Sequence, residues 1–171
     1  MVTGSVAAAF HGAPRATLDI DFVIDATEVQ LRRVVADFVQ SGLYASEEAA
    51  LEARRLEGMF NVVDAASSWK VDPIIRKSRA FSRVEFERRL PFVFESIALA
   101  VASLEDVILS KLEWSRLGGS TRQLEDVAAL LSLRSSDIDR AYLEHWVREL
   151  EVGNEWETAT AIWESRGRTA P

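Results

Sequence analysis

The 171-residue chain contains no cysteine, which excludes disulfides, thiolate metal sites and cysteine nucleophiles together. Histidine is nearly absent too. His11 and His145 are the only two, neither has a partner at metal-ligand spacing, and both are read as structural. No apolar run approaches the roughly 20 residues that a membrane-spanning helix needs. The opening MVTGSVAAAFHG lacks the basic start of a secretory leader. A cytoplasmic protein without a membrane partner is therefore the expectation. Positive charge is also short, with 20 Lys and Arg against 27 Asp and Glu and a formal net charge of −7. That balance argues against a general nucleic-acid coat, which needs clustered cations along the phosphates.

The composition, 48% hydrophobic and 27% charged, is that of a globular chain able to bury a core. Its length suits one mixed domain with a helical appendage. Residues 1–101 alternate short β-like runs with helices, whereas residues 102–171 read as helical throughout. The expected fold class is α+β, a mixed β-sheet with flanking helices followed by a helical C-terminal part. Met1 falls inside what reads as a first strand, as though an earlier start supplied its beginning. A small-residue helix follows at Val6 to Phe10, then a loop at Gly12-Ala13-Pro14 and an extended run from Arg15 to Ile24. Thr27 and Gln30 form a capping box. Leu31, Val34, Val35, Phe38 and Val39 make the apolar stripe behind it, with Gly42 at the left-handed end. A shorter helix, Glu47 to Leu56, is expected to end at Gly58. Met59 to Ala65 and Trp69 to Ile75 read as strands paired through Ala66-Ser67-Ser68, and Leu90 to Val101 as further strand. Ser103 with Asp106, and Ser120 with Gln123, are expected to cap two helices. Two more lie near Ser136 to Leu150 and Asn154 to Arg166.

Strand alternation carries the first chemical signal. In an extended run Arg15, Thr17, Asp19 and Asp21 share one face, while Ala16, Leu18, Ile20 and Phe22 form a packing face. The two carboxylates then stand about 7 Å apart along the strand. They repel unless a cation lies between them. Mg²⁺ suits such hard oxygen ligands. The plainer alternative is the solvent face of an edge strand, against which stands the rarity of Asp among strand formers. Gly4-Ser5 before a helix either permits close approach of an anion to backbone amides or is an ordinary serine cap. Asp72, inside the apolar run Lys70-Val71-Asp72-Pro73-Ile74-Ile75, is costly to bury unless paired or metal-bound. A hairpin partner strand would bring it beside Asp19 and Asp21.

Lys111 sits on a helical wheel among Leu104, Val107, Ile108 and Ser115, where a lysine either snorkels to the rim or meets an anion. Asp126 reads equally as a structural ion pair or a site residue. The five Trp read as core, with Trp114, next to the Lys111 face, the exception. Arg76, Lys77, Arg79, Arg83, Arg88 and Arg89 form a basic stretch. It reads first as a solvated charged face and second as a cradle for triphosphate or RNA phosphates.

Together, Gly4-Ser5, then His11-Gly12-x-Pro14-Arg15-x-Thr17-x-Asp19-Ile20-Asp21, then the later strand acid Asp72, resemble the polymerase-β-like nucleotidyltransferases. The form of the first motif is similar to the minimal branch that includes the AbiEii/MenT-type toxins. Weaker likenesses continue through Ser103-Leu104-Glu105-Asp106, Lys111-Leu112 and Leu124-Glu125-Asp126-Val127. The resemblance implies a Mg²⁺-dependent enzyme, with a two-ion site, that moves NMP from an NTP such as ATP to an acceptor. Asp19, Asp21 and Asp72 would bind metal, and Asp72 would also help activate the acceptor. Gly4, Ser5, Arg15, Thr17 and Lys111 would serve the nucleotide. The acceptor would be tRNA, a protein hydroxyl or a small hydroxylated molecule, and a toxin would have a cognate antitoxin. The basic stretch favours RNA and the acidic net charge a small acceptor. The alternative is a nucleotide-binding or interaction module without turnover, which would bind NTP and release no pyrophosphate.

Overall fold

The computed structural model describes residues 1–169, with side chains through Arg166. It contains eight helices and six strands among the described residues. By contacts the chain divides into two compact units. The first comprises Met1–Val6 and Ala16–Ala102; the second comprises Ala7–Arg15 and the chain from Ser103 onward. The architecture is mixed α and β, as expected for a nucleotidyltransferase-like fold.

The first unit is built on a four-stranded sheet of order β1-β4-β3-β2. Its strands are β1 (Asp19–Ile24), β2 (Tyr44–Ala45), β3 (Val62–Val63) and β4 (Lys70–Ile75). β1 and β4 run parallel, and the other pairs are antiparallel. Parallel neighbours need a crossover, and α2 (Glu28–Gln40) and α3 (Glu47–Leu56) lie in it. Leu31 and Val35 from α2, Ala50 and Ala53 from α3, and Phe60, Val62 and Ile75 make one buried cluster. Val71 and Ile24 pack against it. The odd-numbered residues of β4 and the even-numbered residues of β1 therefore face this core. Asp19, Asp21, Lys70 and Asp72 take the opposite face by strand alternation.

Local chemistry explains the ends. Thr27 and Gln30 complete the capping box of α2 in both directions. Gly42 follows that helix with φ +83°, and Leu43 N–H donates to Phe38 O at 3.0 Å. α3 spans Glu47–Leu56 and closes at Gly58, as expected. Glu57, not Gly58, takes the left-handed conformation (φ 51°), and Gly58 N–H closes the turn on Ala53 O at 2.8 Å. Pairing across β3 and β4 runs from Gly58 opposite Ile75 to Asp64 opposite Trp69. It is interrupted at Pro73, which accepts from Phe60 N–H but has no N–H to return.

Two departures concern the extended runs. Strand structure begins only at Asp19, because Thr17 Oγ1 accepts from Asp19 N–H at 3.1 Å in a local turn. Arg15 and Thr17 are thus outside the strand, so their alternation with the two acids does not hold. Leu18, placed on the packing face, is 54% exposed for the same reason. The run from Leu90 to Val101 is a hairpin of β5 (Leu90–Phe94) and β6 (Ile97–Val101), turned at Glu95 and Ser96 with φ 46° and 70°. Before it lies α4 (Ala80–Glu87). Residues 1–3 link β1 to β6: Thr3 N–H donates to Asp21 O (3.0 Å) and Ala102 N–H to Val2 O (2.9 Å). α1 (Gly4–Phe10) starts immediately after this link.

The second unit carries α5 (Leu104–Gly118), α6 (Thr121–Arg134), α7 (Arg140–Glu149) and α8 (Gly153–Thr169). Ser103 caps α5 by accepting from Asp106 N–H, and Gly119 ends it at φ 63°. Ser120 takes the cap position of α6, yet its side chain makes no capping bond. Gln123, expected to answer it, instead accepts from Lys111 Nζ at 3.0 Å. Asp106 is wholly buried, taking bonds from Tyr142 OH and Ser103 Oγ, each at 2.6 Å. No described helix is long and apolar enough to cross a membrane.

Candidate active site

The site grows from the β1/β4 ladder. Asp21 is the register partner of Asp72, and Asp19 is the partner of Lys70. In-register partners on parallel strands project to the same side. The sheet therefore gathers Asp19, Asp21 and Asp72 on one face, although they are separated by about fifty residues in sequence. Asp19 is more than half exposed at its side chain, whereas Asp72 is buried. A buried carboxylate demands partners. Asp72 has two: Asn61 Nδ2 donates to Oδ1 at 2.6 Å, and Lys70 Nζ stands 2.8 Å from Oδ2. The same ammonium is 3.8 Å from Asp19 Oδ1.

Lys70 is the group that sequence reasoning missed. Its ammonium is held above its ordinary pKa of 10.5, first by the hydrogen bond to Asp72. Burial opposes this, and the charges of Asp72, Asp19 and Asp21 reinforce it. The available signal was spacing. Lys70 and Asp72 are two apart on a strand, hence on one face, and the argument that adjacent acids need a cation applied to a side chain as well as to an ion.

Gly4 lies against Asp21. A Cβ built on Gly4 would stand 1.9 Å from Asp21 Oδ2 and 2.8 Å from its Cγ, and the residue has φ +61°. Both facts require glycine. Ser5 lies within the first turn of α1 and not at its cap, since the helix already includes Gly4. Thr17 Oγ1 is engaged in the local turn before β1.

Arg15 and Lys111 belong to the second unit. Lys111 does not snorkel: its side chain is 4% exposed and its Nζ stands 2.7 Å from Asp126 Oδ2. Arg15 Nε is 3.4 Å from Asp126 Oδ1. Asp126 is therefore the anion of a two-cation cluster with Gln123 as a neutral fourth member. Asp126 thus makes an ion pair, one of the two readings the sequence allowed for it. Among the basic stretch, Arg76 is pinned to Asp25 at 2.9 Å. Arg89 lies over the Phe86 ring at 4.4 Å and Arg79 over Phe81 at 5.3 Å. Several of these arginines thus have intramolecular partners, while Lys77 and Arg83 are exposed. Trp114 is 49% exposed and is not a core residue.

Asp19, Asp21 and Asp72 share one sheet face on two adjacent strands, a set of oxygen donors of the kind a hard divalent cation takes. The donor set fits magnesium in kind. As the side chains stand, no three His, Cys, Asp or Glu among the described residues enclose an ion, and the cation between them is Lys70. The family model for the nucleotidyl transferase AbiEii toxin of type IV toxin–antitoxin systems matches residues 4–161. The chain belongs to that family, and it is a nucleotidyltransferase. None of the curated proteins compared with it matches.

Proposed function

We propose that Asp19, Asp21 and Asp72 hold magnesium for the transfer of a nucleoside monophosphate from an NTP to an acceptor hydroxyl. The observation that supports this most is the shared face: Asp21 and Asp72 at one level of the β1/β4 ladder, with Asp19 beside them. Magnesium, as one ion or two, would neutralise the triphosphate and steady its in-line geometry. The acceptor oxygen bonds to the α-phosphorus as the bond to pyrophosphate breaks, and Asp72 takes the acceptor proton. The chain's own contribution is placement. The ladder fixes the carboxylates, Asn61 holds Asp72 Oδ1, the oxygen that Lys70 does not contact, and Gly4 lets the first turn of α1 approach Asp21. Gly4 and Ser5 would then offer backbone and hydroxyl donors to the triphosphate.

As a toxin of a two-component system, the enzyme would be opposed by a cognate antitoxin, and its acceptor would be tRNA, a protein hydroxyl or a small hydroxylated molecule. The test uses one NTP labelled at either the α- or the γ-phosphate, with Mg²⁺ and tRNA, cell protein or small-molecule extract. Nucleotidyl transfer labels the acceptor from the α-position only and releases pyrophosphate. Label arriving from the γ-position, or NTP binding without pyrophosphate release, would reject the reading.

A further inference from the structure

We infer that Lys70 is a built-in counter-ion of the acid face, which a divalent cation must displace, so that this lysine weakens metal binding and steadies the metal-free site. The inference rests on the reading of Asp19, Asp21 and Asp72 as metal ligands. Its own support is the placement of the ammonium, 2.8 Å from buried Asp72 and 3.8 Å from Asp19. Two adjacent aspartates and a buried third repel one another unless a cation intervenes. One ammonium offsets only one of the three charges, so a doubly charged ion retains a driving force to enter.

The lysine is also suited to leave. Its side chain is 34% exposed, and its flexible four-carbon stem lets the ammonium swing to water without moving β4. Asp72 would stay in place meanwhile, because Asn61 holds its other oxygen at 2.6 Å and does not depend on Lys70. The lysine and a metal ion thus compete for the same carboxylate oxygen, whereas the asparagine cooperates with either.

The experiment titrates Mn²⁺ by electron paramagnetic resonance, without nucleotide, into the parent, Lys70→Met, Lys70→Arg and Asp72→Asn. Lys70→Met should bind Mn²⁺ about three- to fivefold more tightly, which corresponds to removing one competing, partly exposed ion pair. Its melting temperature should be lower without metal and should gain more on Mn²⁺ saturation. Lys70→Arg, which keeps a cation, should not show the tighter binding. In the parent itself Mg²⁺ should raise the reactivity of Lys70 toward an amine reagent, read by mass spectrometry against exposed Lys77. With only Lys70, Lys77 and Lys111 in the chain, the assignment is unambiguous. Unchanged or weaker Mn²⁺ affinity in Lys70→Met, or unchanged Lys70 reactivity in the parent, would overturn the inference. If Asp72→Asn loses Mn²⁺ binding while Lys70→Met equals the parent, only the role of Lys70 fails. If Asp72→Asn binds as the parent does, the metal-site reading fails with it.

Discussion

Replacing Gly4 with alanine should impose two separable costs on the acid face. The first is conformational. Gly4 has φ +61°, and an alanine there takes a left-handed penalty of about 1 kcal/mol. The second is steric. The new Cβ would meet Asp21 Oδ2 at 1.9 Å, Cγ at 2.8 Å and Cβ at 3.2 Å. Rotating the Asp21 side chain relieves the first two contacts but not the third. Either the carboxylate leaves its place or the Met1–Thr3 link shifts, at about 1–3 kcal/mol. The expected total is about 2–4 kcal/mol, measured as a loss of urea stability. Asp21→Ala separates the parts, because it removes Oδ2 and Cγ and leaves only the Cβ contact. The double variant should therefore be more stable than the sum of the singles by about 1–2 kcal/mol. A Gly4→Ala protein within 0.5 kcal/mol (roughly the scatter of surface substitutions) of the parent, or strict additivity, would refute the reasoning.

Asp126→Asn should cost about 3 kcal/mol in urea unfolding, because it leaves buried Lys111 without its anion. Lys111→Met should cost clearly less, since Asp126 keeps Arg15 at 3.4 Å, and equal costs would contradict the cluster. The same two variants test the nucleotide role implied for Lys111: Lys111→Met should weaken NTP binding more than its loss of stability explains. Thr27→Ala removes the capping hydroxyl of α2 and should cost about 1 kcal/mol in the same assay. The Glu57 carboxylate is held below its ordinary value of 4.5, first by the Ser78 backbone N–H. Its contribution is present above pH 4.5 and is lost as pH falls through its lower folded value, so Glu57→Gln should flatten the acid limb of the melting curve.

Much of this site was legible because it is local. The Thr27 capping box, the Asp19/Asp21 alternation and the antiparallel run up to Trp69 each follow from neighbours a few residues apart. The common face of Asp72 with the other two acids was expected from a hairpin partner strand, but the hairpin partner of β4 is β3; the acids lie on β1, and that parallel pairing is a long-range fact with no local signature. The misses share a cause. Thr17 spends its hydroxyl on the backbone of Asp19, so alternation does not reach back to Arg15. Glu95 and Ser96 turn a hairpin without glycine, asparagine or proline, so the only mark of the break is that they are the two polar residues in the apolar run from Leu90 to Val101. Gln123 leaves the α6 cap for Lys111, since a buried ammonium outweighs a cap that water can serve. Lys70 stands two residues before Asp72 on the same strand face, so its charge is part of the acid cluster as well as its backbone part of the strand.

The measurement that bears most directly on the central claim is the Mg²⁺-dependent transfer rate of Asp72→Asn from α-labelled NTP. This substitution keeps the size of the side chain and its place opposite Asp21 while removing the charge. Circular dichroism and Mn²⁺ titration on the same preparation would establish that it is folded and whether it binds metal. The account predicts a folded protein with transfer reduced by about 10³-fold or more, a loss of several kcal/mol of transition-state stabilisation. Transfer at the parent's rate by folded Asp72→Asn would contradict it.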